Sequence, residues 1–288
     1  MSKPCRPGQT VKGLYSLFIM KRLLIPFRVA FCVYGLVLFV VIMLVLFPFV
    51  IVASFFGKTR GGNIIYTICQ LWADVVMPMW GIRHTNIYEA PHDPNRQYVF
   101  IFNHISYMDI PVIMKAIRKQ QFRILGKGEM AKIPVFGFFY KNAVVMVDRS
   151  SIEKRARSVQ KLKAVIRKGI SVVIAPEGTF NMTTNPLKDF YDGAFKIAIE
   201  TQTPVKPILF LDSYDRLSYK SIFTLTPGKS RAVYLQQISV DGLTIKDVAK
   251  LKNQVYQLMD EKLRTYKASL SAYPFPQWQM DGSRATLG

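Results

Sequence analysis

The sequence predicts an α/β domain, a mostly parallel sheet flanked by helices, with an N-terminal membrane-associated helical segment in front of it. Three observations lead there. From Ile82 onward, short apolar runs of strand length alternate with helical periodicities. Polar motifs follow four of those runs, the arrangement expected where parallel strands end on one edge of a sheet. Before Ile82 lies a long uncharged stretch with no polar side to face water. The 288 residues divide into basic and membrane-anchoring helices over 1–81, the main domain over 82–270 and an irregular tail over 271–288.

The N-terminal elements come first. Over 13–27, Leu14, Leu17, Phe18 and Leu24 mix with Lys21 and Arg22, the makeup of a basic helix lying in a membrane plane. Residues 29–56 carry no charge, between Arg28 on one side and Lys58 and Arg60 on the other. That run exceeds the ~20 residues a bilayer-spanning helix needs. Pro48 inside it predicts either one tilted span or two shorter re-entrant pieces. Next, Ile64, Ile65, Ile68, Leu71, Trp72, Val75, Val76 and Met79 recur at helical spacing, with Asp74 the one charge between Arg60 and Arg83. An interfacial or second membrane helix and an ordinary core helix both fit.

In the main domain the expected strands are 98–102, 122–125, 143–147, 171–175, 204–211 and 231–238. A helix is expected over 110–119. A second covers 152–168, with Ile152, Ala156, Val159, Leu162 and Ile166 on one face and Ser150 and Glu153 as a capping box. The last long helix runs over 244–268. In the tail, Pro274, Pro276 and Trp278 predict irregular structure.

Charge narrows the partners. A net charge of +21 points to polyanions: nucleic acid, anionic lipid or phosphorylated substrates. The uncharged run selects membrane lipids. Nucleic acid is not expected, because no recognition motif is present and the basic residues are scattered along helices. Cys5, Cys32 and Cys69 make no metal-ligand spacing, and only His84, His92 and His104 are available, so no metal site is expected.

The chemistry-bearing residues follow the strands. Asn103-His104-Ile105-Ser106-Tyr107-Met108-Asp109 comes after 98–102. His104 is placed to take a proton near neutral pH, with Asp109 as the group that orients it and stabilises its cation. The local alternative is that Ser106 and Asp109 merely open a helix. Gly126-Lys127-Gly128-Glu129 follows the second strand, Asp148-Arg149 the third, and Pro176-Glu177-Gly178-Thr179 the fourth. Alone, each reads as a turn or a surface pair. On one edge, Lys127 and Arg149 become cations for a phosphate, and Glu177 a partner for a hydroxyl.

These blocks resemble the glycerolipid acyltransferase family, whose best-known members are 1-acylglycerol-3-phosphate (lysophosphatidic acid) acyltransferases. The family's Asn-His-x4-Asp is matched by Asn103, His104 and Asp109. Its Gly-Lys-x-Glu block leading to Asp-Arg is matched by Gly126, Lys127, Glu129, Met130, Pro134, Gly137, Asp148 and Arg149. Pro176, Glu177, Gly178 and Thr179 match the third block, and Pro204, Val205 and Pro207 the fourth. Phe180 stands where the family usually has Arg, and Asn142 where a Gly is common.

The resemblance implies direct acyl transfer from an acyl thioester to the free hydroxyl of a lysophospholipid, giving phosphatidic acid when the acceptor is lysophosphatidic acid. His104 and Asp109 would be catalytic; Asn103, Ser106, Lys127, Arg149, Glu177, Gly178 and Thr179 would bind substrate. The donor, acyl-coenzyme A or acyl-acyl carrier protein, is a substrate, and no cofactor is implied. The departure at Phe180 leaves a lyso-aminolipid or another lysophospholipid as alternative acceptors. A catalytically silent lipid-binding protein is the alternative from another class. The expected location is a membrane, the bacterial inner membrane with the catalytic domain on the cytoplasmic side. The sequence carries no sign of oligomeric state.

Overall fold

Runs rich in Val, Ile and Phe become strands because branched and aromatic side chains fit a pleated, buried surface. In the computed structural model, which describes residues 8–147 and 151–271, seven of them form one sheet. They are β1 (Ile82–Tyr88), β2 (Val99–Phe102), β3 (Phe122–Lys127), β4 (Val145–Val147), β5 (Ser171–Ile174), β6 (Val205–Phe210) and β7 (Gly228–Tyr234). The spatial order is β1-β7-β6-β2-β5-β3-β4. Every pairing is parallel except β6 with β7. The sheet is therefore mostly parallel and flanked by helices, as the sequence predicts.

The helices are α1 (Gly8–Ser54), α2 (Gly62–Met79), α3 (Asp109–Ala116), α4 (Phe136–Ala143), α5 (Ile152–Ile166), α6 (Gly193–Glu200), α7 (Ser213–Arg216) and α8 (Val248–Ser271). Side chains alternate across each strand, so the sheet buries two cores. Phe100, Phe102, Phe122, Ile124, Ile208, Phe210 and Tyr234 meet α1, α2 and α3 on one face. Val99, Ile101, Val172, Ile174, Val205 and Leu209 meet α5, α6 and α8 on the other. Each fully buried side chain of this size contributes roughly 1.5–3 kcal/mol by leaving water.

Several expectations change. β1 was not among the expected strands, since His84, Thr85 and Asn86 interrupt its apolar pattern; it earns its place by pairing along its whole length with β7. The separate in-plane helix over 13–27 and the break at Pro48 are absent: α1 runs continuously through Pro26 and Pro48. The missing N–H of Pro48 is offset by packing, with Phe47 against Phe138 and Phe139 at 5.6 and 6.0 Å. On α5 the N-cap is Ser151, whose side chain accepts from the Lys154 N–H, and Ala156 is exposed. Ser150 lies outside the described residues, as do Asp148, Arg149 and Trp278. α8 begins at Val248 rather than at the expected 244, after a 3-10 turn over Ile245–Asp247 that a capping box of Thr244 and Asp247 opens.

The helical hairpin is bound to the sheet at its tip. Between α1 and α2 the chain makes a five-residue π-helical turn, Gly57–Gly61. Arg123 of β3, 4% exposed, donates to the carbonyls of Lys58 and Thr59 at 3.3 and 3.0 Å and to Asn63 Oδ1 at 2.8 Å. A Cβ on Gly62 would lie 2.6 Å from the Arg123 guanidinium, so only glycine lets the turn close over it. Further along, Asp74 of α2 pairs with Lys115 (2.6 Å) and Arg118 beyond α3. α2 buries Ile65, Tyr66, Ala73, Val76 and Met77 while Ile64, Leu71, Val75 and Met79 stay exposed. It is a core helix on one side and apolar on the outer side. Replacing Arg123 with Met should strand the turn's carbonyls and cost about 2–3 kcal/mol. Thermal unfolding should show that loss, with faster tryptic cleavage at Lys58 and Arg60.

Candidate active site

The carboxyl ends of β2, β5 and β3 lie side by side, because β5 sits between β2 and β3 in parallel register. Three of the four sequence motifs therefore meet on one edge of the sheet. β3 extends through Lys127, so Gly126 and Lys127 are strand residues paired with Met146 and Val147 rather than a phosphate-cradling turn. Gly126 is required by packing: a Cβ there would lie 2.0 Å from the Tyr140 hydroxyl oxygen. Lys127 is exposed at the strand end.

His104 follows β2 directly and is gripped from both neighbouring strands. On the β6 side, the Asn103 amide imitates a strand residue: its Nδ2 donates to the Phe210 carbonyl (3.0 Å) and its Oδ1 accepts from the Phe210 N–H (2.8 Å). On the β5 side, Glu177 Oε1 accepts from the His104 N–H at 2.8 Å, and the Asn181 N–H donates to the His104 carbonyl at 2.8 Å. Gly178, at φ 72°, makes the turn that brings this loop back, a conformation other L-residues resist.

The imidazole is fixed in turn. Its Nδ1 is 2.8 Å from Asp109 Oδ2. That oxygen also accepts from the backbone N–H of Ile105 and Ser106, each at 3.0 Å. Asp109 is the first residue of α3, whose N-cap Met108 has no side-chain cap. Its oxygen therefore holds the turn before the helix and the imidazole without closing a capping box of Ser106 and Asp109. Since a carboxylate only accepts, Nδ1 carries the proton and Nε2 is the basic nitrogen of the neutral ring. The ring lies between Phe102 (5.8 Å) and Phe180 (4.3 Å), and its side chain is 25% exposed while Asp109 is fully buried. Tyr107 and Tyr219 extend the Phe180 surface into an aromatic wall.

Three residues expected to touch substrate are instead saturated inside the protein. Asn103 is spent on β6. Ser106 Oγ accepts from the Met108 N–H at 2.8 Å and donates to the Leu217 carbonyl. Glu177 is fully buried, with its second oxygen taking the Lys188 N–H at 2.9 Å, so it ties two loops together. Thr179 is half-buried and accepts from Lys188 Nζ at 2.9 Å. Arg149 lies outside the described residues. Sequence reasoning assigned no role to Lys188 and Tyr219, which lie in no motif, or to Tyr107, which lies inside the first one. The wall of Tyr107 and Tyr219 becomes visible only once the loops fold together.

The remaining histidines stand apart from this edge. His84 bonds Ser230 and Asn86, and burial pushes it down to about 4, helped by Lys115 and Arg118. Among the described residues, no group of three or more His, Cys, Asp or Glu side chains is arranged to hold a metal ion.

Burial pushes the Glu177 carboxyl up to about 7, against the lowering effect of its two N–H donors, and the Asp109 charge adds to the rise. A carboxyl raised in the folded state binds more protons than in the unfolded chain, so stability falls as pH rises from its ordinary 4.5 through 7. Glu177→Gln removes one acceptor and the titration together. The variant should melt lower than the wild type at pH 5. The gap between the two should narrow toward pH 8, and a gap independent of pH would refute this account.

Comparison with known proteins places this edge in context. Residues 81–211 match the family model described as Acyltransferase. A 1-acyl-sn-glycerol-3-phosphate acyltransferase of Cocos nucifera is 29% identical over 203 residues, covering 69% of this chain and 61% of that protein. The alpha 1-acyl-sn-glycerol-3-phosphate acyltransferase of Mus musculus is 28% identical over 184 residues, covering 63% and 64%. The chain thus spans less than two thirds of either relative. The crystal structure of the lysophosphatidic acid acyltransferase PlsC from Thermotoga maritima superimposes with a TM-score of 0.65. The identity there is 21%, over 84% of this chain and 98% of that one, and the likeness is one of fold.

Proposed function

We propose, from the premise that residues 81–211 form a domain of the acyltransferase family, that the protein is an O-acyltransferase. It moves a fatty acyl chain from an acyl thioester to the free hydroxyl of lysophosphatidic acid, giving phosphatidic acid. The observation that carries this reading is the 2.8 Å contact of His104 Nδ1 with the buried Asp109 carboxylate, which leaves Nε2 as a base in a partly open ring.

In this mechanism His104 Nε2 takes the proton of the acceptor hydroxyl as its oxygen attacks the thioester carbonyl. Asp109 stabilises the imidazolium that forms. The tetrahedral intermediate then collapses with cleavage of the C–S bond, and the imidazolium returns its proton to the leaving thiolate. Acceptor and thioester become ester and thiol, with no covalent enzyme intermediate. This is the His-Asp part of a serine-hydrolase triad, with the substrate's hydroxyl in place of the serine. Lys127, exposed at the end of β3, brings positive charge to the same edge for phosphate groups of the substrates. The donor is acyl-coenzyme A or an acyl-acyl carrier protein.

We read α1 and α2 as the means of reaching lipid. Residues 24–54 are long and apolar enough to cross a membrane, but the helix is also tied to the domain along its length. Trp80 Nε1 donates to the Gly35 carbonyl at 3.1 Å, and Phe47 stacks on Phe139. From Cys32, beside Leu225, to Ala53, beside Gly61, the helix rises about 31 Å, the thickness of a hydrocarbon core. A helix crossing the bilayer over that stretch would pull the domain in with it. Immersion of the hairpin's outer face in one leaflet avoids this.

The test is turnover. Purified protein given acyl-coenzyme A and equal amounts of lysophosphatidic acid and a lyso-aminolipid should make chiefly phosphatidic acid. His104→Ala should lose at least about 10³-fold in rate with an unchanged melting curve; activity close to wild type would remove His104 from the mechanism. The Phe180 ring over His104 favours the second reading, an acceptor other than lysophosphatidic acid, and a different acylated product would establish it. For the membrane reading, Val37, Val41 and Val45 form one exposed stripe on α1. The wild type should float with liposomes, and a variant with all three changed to Lys should not.

A further inference from the structure

The loop between β5 and α6 carries a cation that the mechanism above does not use. Lys188 is half-buried, and its Nζ turns back to donate to Thr179 Oγ1 at 2.9 Å. Among the described residues, no carboxylate lies within ion-pair distance of it; the acidic side chains nearest in the chain are engaged or exposed, Asp192 with Lys252 and Asp189 toward solvent. An ammonium whose partner is a neutral hydroxyl has two further N–H donors to offer.

Its position relative to the proposed base is set by one carboxylate. Glu177 takes the His104 N–H on one oxygen and the Lys188 N–H on the other, so the two backbone nitrogens lie within about 8 Å of each other. The hydroxyl that anchors the ammonium belongs to Thr179, next to Phe180, whose ring lies 4.3 Å from the imidazole. The edge around His104 therefore has two unlike sides. One is aromatic, formed by Phe180, Tyr107 and Tyr219. The other presents an ammonium and a hydroxyl held in a fixed relation by the loop. A lysophosphatidic acid has the same two-sided character, with a dianionic phosphate two bonds from the carbon that bears its free hydroxyl.

We propose that Lys188, seated on Thr179, binds the phosphate monoester of the acceptor and is the residue by which this chain selects acceptors carrying that group. The proposal rests on the acyl-transfer reading above and names the part of the site that recognises the acceptor. Lys188 contacts substrate without taking part in proton transfer, so its loss acts on binding.

Steady-state kinetics of the full chain in detergent test it, with lysophosphatidic acid and an uncharged monoacylglycerol as acceptors and melting curves as the check on folding. Lys188→Met should raise KM for lysophosphatidic acid by about tenfold, leave kcat within about threefold, and reduce preference over monoacylglycerol by the same factor as the rise in KM. Lys188→Arg should keep most of that preference, and Thr179→Val should lose part of it. A rise in KM below about fivefold, or equal losses on both acceptors, overturns the proposal. The two readings fail separately. A wild type that acylates no lysophosphatidic acid with either kind of thioester removes the reading beneath the proposal. An active wild type beside an unaltered Lys188→Met removes the proposal alone.

Discussion

The site depends on one buried carboxylate. Glu177 has no contact with solvent, and its two oxygens accept from His104 and Lys188, residues that follow different strands, β2 and β5, far apart in the chain. Burying a carboxylate costs several kcal/mol, as the upward push on its pKa records, and two N–H donors recover part of that cost. The return is geometric. Backbone N–H groups at the ends of strands have no ladder partner, and water would satisfy them without fixing anything. A carboxylate that spans both fixes the loop after β2 to the loop after β5, so the backbones that carry His104 and Lys188 keep one separation.

That arrangement requires β2 to be interior. With β6 on one side and β5 on the other, the residue pair at its end is reached from both directions, by the Asn103 amide on Phe210 and by Glu177 and Asn181 on His104. An edge strand would offer only one of these grips. Asp109 adds a third constraint from the start of α3, where one oxygen accepts the Ile105 and Ser106 N–H groups and also holds Nδ1. The mobility of the proposed base is thus limited by a strand, a loop and a helix, each from a different part of the chain. Preorganisation of this kind lowers the reorganisation needed at the moment of proton transfer.

Much of this was legible in the sequence, and the parts that were not share a cause. Strands flanked by apolar neighbours on both faces, such as β2 and β5, read clearly because uninterrupted Val, Ile and Phe leave no other interpretation. β1 did not, because its polar residues are satisfied by pairs that exist only after folding, His84 with Ser230 and Asn86 with the Ala116 carbonyl. The motifs located His104 and Asp109, but they carried no trace of the hydrogen bonds that Asn103, Ser106 and Glu177 make within the protein. Asn103, Ser106 and Glu177 are polar residues beside a site, and sequence alone does not distinguish a side chain that faces substrate from one that holds the wall. Lys188 was invisible for the opposite reason. Its importance comes from a fold-back onto Thr179 across a loop, and one lysine in a chain with 39 Lys and Arg residues carries no signal.

The hairpin and the site are coupled through the same sheet. Arg123 holds the tip of α1 and α2 from the start of β3, and the segment of 211–227 that accepts from Ser106 at Leu217 also meets α1 at Leu225. On the proposed reading, the surface that enters lipid is therefore joined to the active edge by a short segment, with no flexible linker between them. The acceptor hydroxyl lies at the depth of the headgroups, and a rigid mount places the base at that depth without search. The excess of basic residues fits the same picture: +21 charges on a body held against an anionic surface add attraction where a soluble protein would have only self-repulsion. On this reading charge brings the body to the membrane, the apolar outer face of the hairpin sets its depth, and the interior position of β2 sets where the chemistry meets the lipid.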